Sequence, residues 1–356
     1  FPILQKNMQL FKDHHVTMHF SQIAGSKCGT FTEMRAYIVS KLMWNTQQDV
    51  DSLMKQFMQG YYGAAAPYLY QYEKLLEGAL LGSGQDLWIF DSPVSHKKGM
   101  LNAHCLKRYN ELFDQAEKAV ADSPELLDRV RIERLTLQYS ELETARAEGG
   151  HDINEIKEKL ALFRERAAHY QLPTLNERHN SPLAYCDLYE KRFLPKAEKN
   201  YAKNASITWI EAPSDKYLPE AAKTLTDELY GGTSFVESWI GWEGKNGSFI
   251  LDLGKEVDIR VIESDFLHQL GQWVFLPKKV SYAISSDNQS YQAFGTTDIA
   301  EDQSVEVKFF QARSEKQQPV KGRYVKVEIE GVNTCPSWHC GVGHKAWFFM
   351  DEIRVN

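Results

Sequence analysis

Ser238-Trp239-Ile240-Gly241-Trp242-Glu243-Gly244, running on to Phe249-Ile250-Leu251-Asp252-Leu253-Gly254-Lys255, decides the fold of the C-terminal part of this chain. A counterpart closes it: Pro336-Ser337-Trp338-His339-Cys340-Gly341-Val342-Gly343-His344-Lys345-Ala346-Trp347-Phe348-Phe349-Met350-Asp351-Glu352-Ile353. Each joins a turn rich in tryptophan and glycine to a short run of β-branched and aromatic residues. Alternating runs lie between them, at Val280–Ile284 and Tyr324–Ile329. Alternation sends one face of a strand into a core and the other into water. Several such strands separated by turn signals predict an antiparallel β-sandwich.

Six short motifs in order carry a resemblance. They are Leu225-Thr226-Asp227, Ile250-Leu251-Asp252-Leu253-Gly254, Phe275-Leu276-Pro277, Ser285-Ser286-Asp287, Arg323-Tyr324-Val325 and Asp351-Glu352-Ile353. Together they resemble a discoidin domain, also called the coagulation-factor type C (F5/8 type C) domain. It has a galactose-binding-like jelly roll, and its bacterial relatives include carbohydrate-binding modules. The resemblance covers residues 205–356 and implies a sandwich that binds glycans. It also implies a calcium ion where the loop after Asp227 meets the final strand, with Asp227 and Glu352 as carboxylate ligands.

At 356 residues the chain has room for two or three domains. It is 43% hydrophobic and 25% charged, as an ordinary globular protein is. No apolar run approaches the roughly 18–20 residues of a membrane helix. The net charge of −7, with no basic stripe interleaved with aromatics, argues against nucleic acid as partner. The first residue, Phe1, is not preceded by a charged-then-apolar leader, as in a mature form, a domain or a fragment. The spacing of Cys28, Cys105, Cys186, Cys335 and Cys340 fits neither a zinc site nor a disulfide framework. Cys335 and Cys340 flank a tight loop, either as free thiols or as a pair in an oxidising compartment.

Residues 1–44 read as helix, strand, helix. Gln5–His14 is amphipathic, Val16, Met18 and Phe20 alternate as a strand, and Thr30 with Glu33 forms a capping box for a helix. That helix would bury Phe31, Met34, Ile38 and Leu42. One such unit cannot cover both faces of a parallel strand, so it reads as the terminal piece of a larger α/β domain. Residues 45–200 read as a helical bundle, with Asp49, Ser123 and Asp152 as N-caps and Gly149-Gly150 as a stop. The linker to the sandwich falls within 174–204. The expected fold class is therefore multi-domain α + β: the end of an α/β barrel at 1–44, a bundle at 45–200 and a sandwich at 205–356.

Lys41-Leu42-Met43-Trp44-Asn45, Asp49-Val50-Asp51, Phe57 and Tyr61-Tyr62-Gly63-Ala64-Ala65 resemble a bacterial family of large secreted proteins. In that family an α-glucuronidase-like (β/α)₈ barrel precedes a helical region and often a discoidin module. The resemblance implies a glycoside-hydrolase-like parent, secreted, periplasmic or cell-surface associated.

If a barrel ends here, the C-terminal end of its strand faces substrate, which places His19 and Gln22 as sugar contacts or as mere loop residues. Glycoside hydrolysis needs two facing carboxylates. None accompanies His19, since Asp13 precedes the strand and Glu33 serves as a cap, so no catalytic residue is assigned. His14 and His15 are adjacent and point apart, a poor chelate. Arg35, Arg108 and Arg131 are either anion-binding or, as is commoner on bundle helices, salt-bridged. In the sandwich Trp239 and Trp347 fall in strand patterns and read as core. Trp242, Trp273 and Trp338 stand beside glycine or proline in loops, where an indole either stacks on a sugar or caps the fold. His268, His339 and His344 lie close by and supply hydrogen-bonding groups.

The two resemblances together imply a carbohydrate-binding portion of a larger carbohydrate-active protein, with a glycan or polysaccharide as the expected partner and a structural calcium as the expected cofactor. The alternative is an adhesion or scaffold protein whose sandwich binds another protein.

Overall fold

Helices build the N-terminal half of the chain and antiparallel strands the C-terminal part. The computed structural model describes residues 1–21, 29–88, 91–175, 180–194, 198–217, 221–236 and 238–356, with the backbone alone at 221–222. Two compact units result, 1–145 with 150–192 and 146–149 with 193–356.

In the first unit the helices are α1 (Pro2–Asp13), α2 (Thr32–Trp44), α3 (Val50–Tyr62), α4 (Ala66–Ser83), α5 (Ala103–Ala119), α6 (Pro124–Glu148, its last turn in the second unit), α7 (Ile153–His169) and α8 (Pro182–Leu188). Short polar side chains start several of them. Asp49 accepts from Ser52 N–H, Asn102 from Cys105 N–H, and Asp152 from the N–H groups of Asn154 and Glu155. Gly149 and Gly150, at φ 67° and 75°, follow α6. One core runs through α1 to α6 and includes Met34, Ile38, Leu42, Leu53, Met58, Leu69, Tyr109 and Phe113.

Two N-terminal expectations are corrected. Val16–Phe20 is not a strand: Val16, Met18 and Phe20 are exposed, and no neighbouring strand pairs with them among the described residues. Alternation alone makes no strand without a partner to satisfy its backbone. The described residues of 1–44 therefore contribute two helices and no strand, so the barrel-end element is missing from them. Nor does Thr30 cap α2. The N-cap is Phe31, in the left-handed region at φ 50°, and no side chain of its own turn caps the helix. Glu133 of α6 does so from a distance: its Oε1 accepts from Phe31 N–H at 2.6 Å, while Oε2 accepts from Tyr62 Oη–H at 3.0 Å. The stripe Phe31, Met34, Ile38 and Leu42 is buried as expected.

The second unit contains β1 (Ser206–Glu211), the short helix α9 (Ala221–Thr224), β2 (Ile240–Glu243), β3 (Gly247–His268), β4 (Lys279–Ser285), β5 (Gln292–Asp298), β6 (Lys308–Glu330) and β7 (Trp347–Val355). The order is β2-β7-β3-β6-β4-β5, with β1 on β3, and every pairing is antiparallel. In β6, Val325, Val327 and Ile329 point inward while Glu328 and Glu330 are exposed. Register shifts interrupt the β3–β6 ladder between Asp252 and Val257 and again between Ile259 and Val261. Bulges bend and twist strands. Gly254, at φ 77°, supplies a backbone conformation that a side chain would resist. The ladder can thus wrap a core of Trp242, Phe249, Leu251, Phe266, Tyr282 and Phe348.

Candidate functional site

Two loops of the sandwich meet and carry most of the expected sugar contacts. One follows β3 at residues 269–278, and the other, 331–346, precedes β7. Backbone bonds join them to the final strand: Phe275 N–H donates to Trp347 O at 2.8 Å and Trp347 N–H to Trp273 O at 3.0 Å. His339 braces the pair. Its Nδ1 accepts from Gly341 N–H at 3.0 Å, so Nε2 carries the proton and donates to Leu270 O at 3.1 Å. The ring is buried and both nitrogens are used, so His339 positions the loops and does not read a ligand.

Around that brace stand the indoles. Trp338 is 37% exposed, its ring edge-on to Phe275 (6.0 Å) and His339 (5.8 Å). Trp273 is half-buried, 6.4 Å from His339, with the exposed His344 tilted over it at 5.4 Å. Trp273 also holds φ 62°, a conformation that costs a non-glycine residue energy and persists where surroundings enforce it. Gly341 makes room for the ring: a Cβ there would lie 2.9 Å from Trp273 Cε2. Phe275, Gly341 and the Leu270 carbonyl went unrecognised in the sequence as parts of this cluster. The signal available was the aromatic pair Trp273 and Phe275 within one loop.

Two expected contacts lie elsewhere. Trp242 is fully buried, stacked on Phe348 at 4.9 Å with its Nε1–H donated to Glu211 O, so it is core. The adjacent glycines marked close packing, Gly241 against Phe349 and Gly247 against Trp242 itself. His268 is buried too, its nitrogens against the carbonyls of Glu306 and Asp302, where it pins the loop after β5. Of the barrel-end pair, His19 is exposed and packs against Phe11 at 5.2 Å, and Gln22 lies outside the described residues. Cys335 is buried, Cys340 exposed, and both are free thiols.

Asp227 and Glu352 do come together. Glu352 Oε1 accepts from Glu228 N–H at 2.7 Å, and Asp227 Oδ1 accepts from Leu229 N–H at 2.9 Å. Next to them Asp351 Oδ2 accepts from Gly231 N–H at 2.5 Å. Burial, reinforced by the Asp351 and Asp227 carboxyls, pushes the Glu352 carboxyl well above the usual carboxylate range. A hydrogen bond with the Asp227 carboxyl, which favours the protonated acid, links the two groups. Such crowding of acceptors suits a hard cation, which would relieve the repulsion. No group of three or more His, Cys, Asp or Glu side chains among the described residues is arranged to hold a metal ion. A cation at Asp227 and Glu352 would therefore take its other ligands from loop carbonyls and water. No helix among the described residues is long and apolar enough to cross a membrane.

Residues 1–74 match the model of a domain of unknown function, DUF4838. Among solved structures, the chain is similar to CpGH89CBM32-6 of Clostridium perfringens, at 17% identity and TM-score 0.30, over 44% of this chain and 98% of that one. It is similar as well to CBM32-1 from a family 31 glycoside hydrolase of the same organism: 20% identity, TM-score 0.29, 45% and 99% covered. With a Ruminococcus gnavus GH29 fucosidase it shares 14% identity at TM-score 0.31, over 54% of this chain and 36% of the enzyme. No curated protein matches the chain.

Proposed function

We propose that the sandwich is a carbohydrate-binding module and that this chain is the non-catalytic portion of a secreted carbohydrate-active protein. The observation that carries the reading is Trp338, an indole more than one-third exposed and held edge-on by Phe275 and His339. A rigid aromatic face left partly to water on a loop of a rigid scaffold, beside a second ring and a hydrogen-bonding side chain, offers a ligand a place to stack. Trp273 with His344 offers a second ring and an exposed hydrogen-bonding nitrogen beside it. A sugar presents the complement, a flat C–H face for the ring and a rim of hydroxyls for the nitrogen. Covering one indole face is worth about 1–2 kcal/mol at roughly 25 cal/mol per Å², and a millimolar complex needs about 4 kcal/mol, so stacking must be joined by hydrogen bonds to the hydroxyls and affinity for one sugar should be weak.

The parent would be glycoside-hydrolase-like, of the α-glucuronidase type, with its acid and base outside this chain. Calcium is the proposed cofactor, held by Asp227 and Glu352, where its charge would neutralise two carboxylates that fix the loop after Leu225 to β7.

A glycan array followed by titration calorimetry tests the reading. Trp338→Ala and Trp273→Ala should each abolish measurable binding and leave the melting temperature within a degree or two. Wild-type binding by both variants would exclude this site. Failure of the native chain to bind any glycan, with capture of a protein partner, would favour the scaffold alternative.

A further inference from the structure

Within the helical unit, three helices converge on one carboxylate. Glu117, in the last turn of α5, faces Arg131 and Arg134 of α6 and Arg166 of α7. Arg131 Nε stands 3.3 Å from Glu117 Oε2, Arg134 Nη1 3.0 Å from Oε1, and Arg166 Nη2 3.4 Å from Oε2. Three guanidiniums thus share one acid.

Nearby acids do not close the balance. Arg134 has a second carboxylate in Asp114, whose side chain is 67% exposed, and a neutral acceptor in Asn110. Asp128 is engaged by Tyr170 Oη–H at 2.8 Å rather than by a guanidinium. Arg166 has the poorest provision. Its side chain is only 13% exposed, and its hydrogen bonds among the described residues are long ones of 3.4 Å to the already shared Glu117. Burial, with repulsion from Arg134 and Arg131 opposing the pull of Glu117, makes its proton easier to lose than that of a free arginine. A buried guanidinium without a counterion of its own is costly, and its planar fork is matched by the oxygens of carboxylate, sulfate or phosphate groups.

We propose that Arg131, Arg134 and Arg166 form a binding site for an oxyanion, the sulfate, phosphate or carboxylate group of a ligand. The anion would sit on the Arg166 side, completing a charge balance that Glu117 leaves short. This site belongs to the bundle and is independent of the proposed glycan site.

Direct titration is the test, because sulfate stabilises most proteins through exclusion from their surface. Sodium sulfate, phosphate and acetate are each titrated calorimetrically into the full chain, with sodium chloride holding ionic strength constant. One saturable site is expected for at least one anion, and preference for sulfate or phosphate over acetate identifies a tetrahedral group. Arg166→Gln should weaken it at least tenfold. Arg108→Gln, which removes a partly exposed pair with Glu111, should leave it unchanged. Should Arg166→Gln fail to fold by circular dichroism, Arg131→Gln, whose side chain is 39% exposed, serves for the same comparison. Absence of saturable binding for all three anions overturns the proposal, as does an unchanged affinity in the folded arginine variant.

Discussion

Replacing Glu133 with glutamine should change the pH dependence of the helical unit by an amount the structure sets. The carboxyl is 3% exposed and links Phe31 N–H, at the start of α2, to Tyr62 Oη–H, at the end of α3. Burial raises its pKa from 4.5 to about 8, against the opposing effect of the two hydrogen bonds it accepts. Between those values the folded state holds a proton that the unfolded state has released. The stability this proton confers is complete below pH 4.5 and is lost as pH rises through about 8. At about 1.4 kcal/mol per unit, a rise of this size makes the total loss about 5 kcal/mol at most. Glutamine keeps an acceptor for Phe31 N–H and cannot ionise, so this contribution is missing from the pH dependence of the variant. Urea unfolding of the full chain followed by far-ultraviolet circular dichroism, from pH 5 to pH 9.5, gives the comparison. Glu73 and Glu352, also raised by burial, remain in both proteins and cancel in the difference. The wild type should lose several kcal/mol relative to Glu133→Gln across that range. Parallel curves would refute the assignment of a buried proton to Glu133.

Calcium at saturation should raise the melting temperature of the sandwich, since a ligand at 100 times its dissociation constant contributes about 2.7 kcal/mol; Asp227→Ala should abolish the rise, and melts unaffected by calcium or chelator would exclude the ion. Gly341→Ala places a Cβ 2.9 Å from Trp273 Cε2 and should displace the indole, so glycan affinity should fall several-fold in calorimetry. Trp242→Ala should behave oppositely to Trp338→Ala: loss of a fully buried indole costs about 3–5 kcal/mol, visible as a lower denaturation midpoint, whereas an unchanged midpoint would return Trp242 to the surface.

Most of the sandwich was legible because its strands alternate and pack on a single core. Val325, Val327 and Ile329 announce their inward face, whereas the bulged stretch after Asp252 was not foreseen from Gly254. Helix starts at Asp49 and Asp152 were legible for the same reason: a cap is a local event among three or four residues. The start of α2 was not, because its cap lies 102 residues away, on Glu133, and nothing near Phe31 encodes it. Val16–Phe20 misled in the opposite direction, since an alternating run states what a strand would bury without stating that another strand is there. Among the site residues, Trp338, Trp273 and His344 were placed together, whereas Trp242 and His268 sat beside loops in sequence yet inside the core in space. Proximity to glycine signals a turn or close packing equally well. Only the partner, Phe348 for Trp242, decides between them.

The pairing of β3 with β6 has a consequence for how the chain comes to be folded. Its ladder runs from Gly247 with Ile329 to His268 with Lys308, and the segment enclosed includes all of β4 and β5. None of these rungs can form until a long stretch of chain has been brought back upon itself, and the entropy of that closure is lost before any rung repays it. The hairpin of β4 and β5, with Lys279 opposite Asp298, closes over far fewer residues and can form in microseconds. It therefore offers the first surface on which β6 can dock, through Val280 to Ile329 and Ile284 to Val325, with β3 arriving on the other side. Assembly of the sandwich, and with it of the loops bearing Trp273 and Trp338, should take milliseconds to seconds, the range of folds dominated by distant pairings.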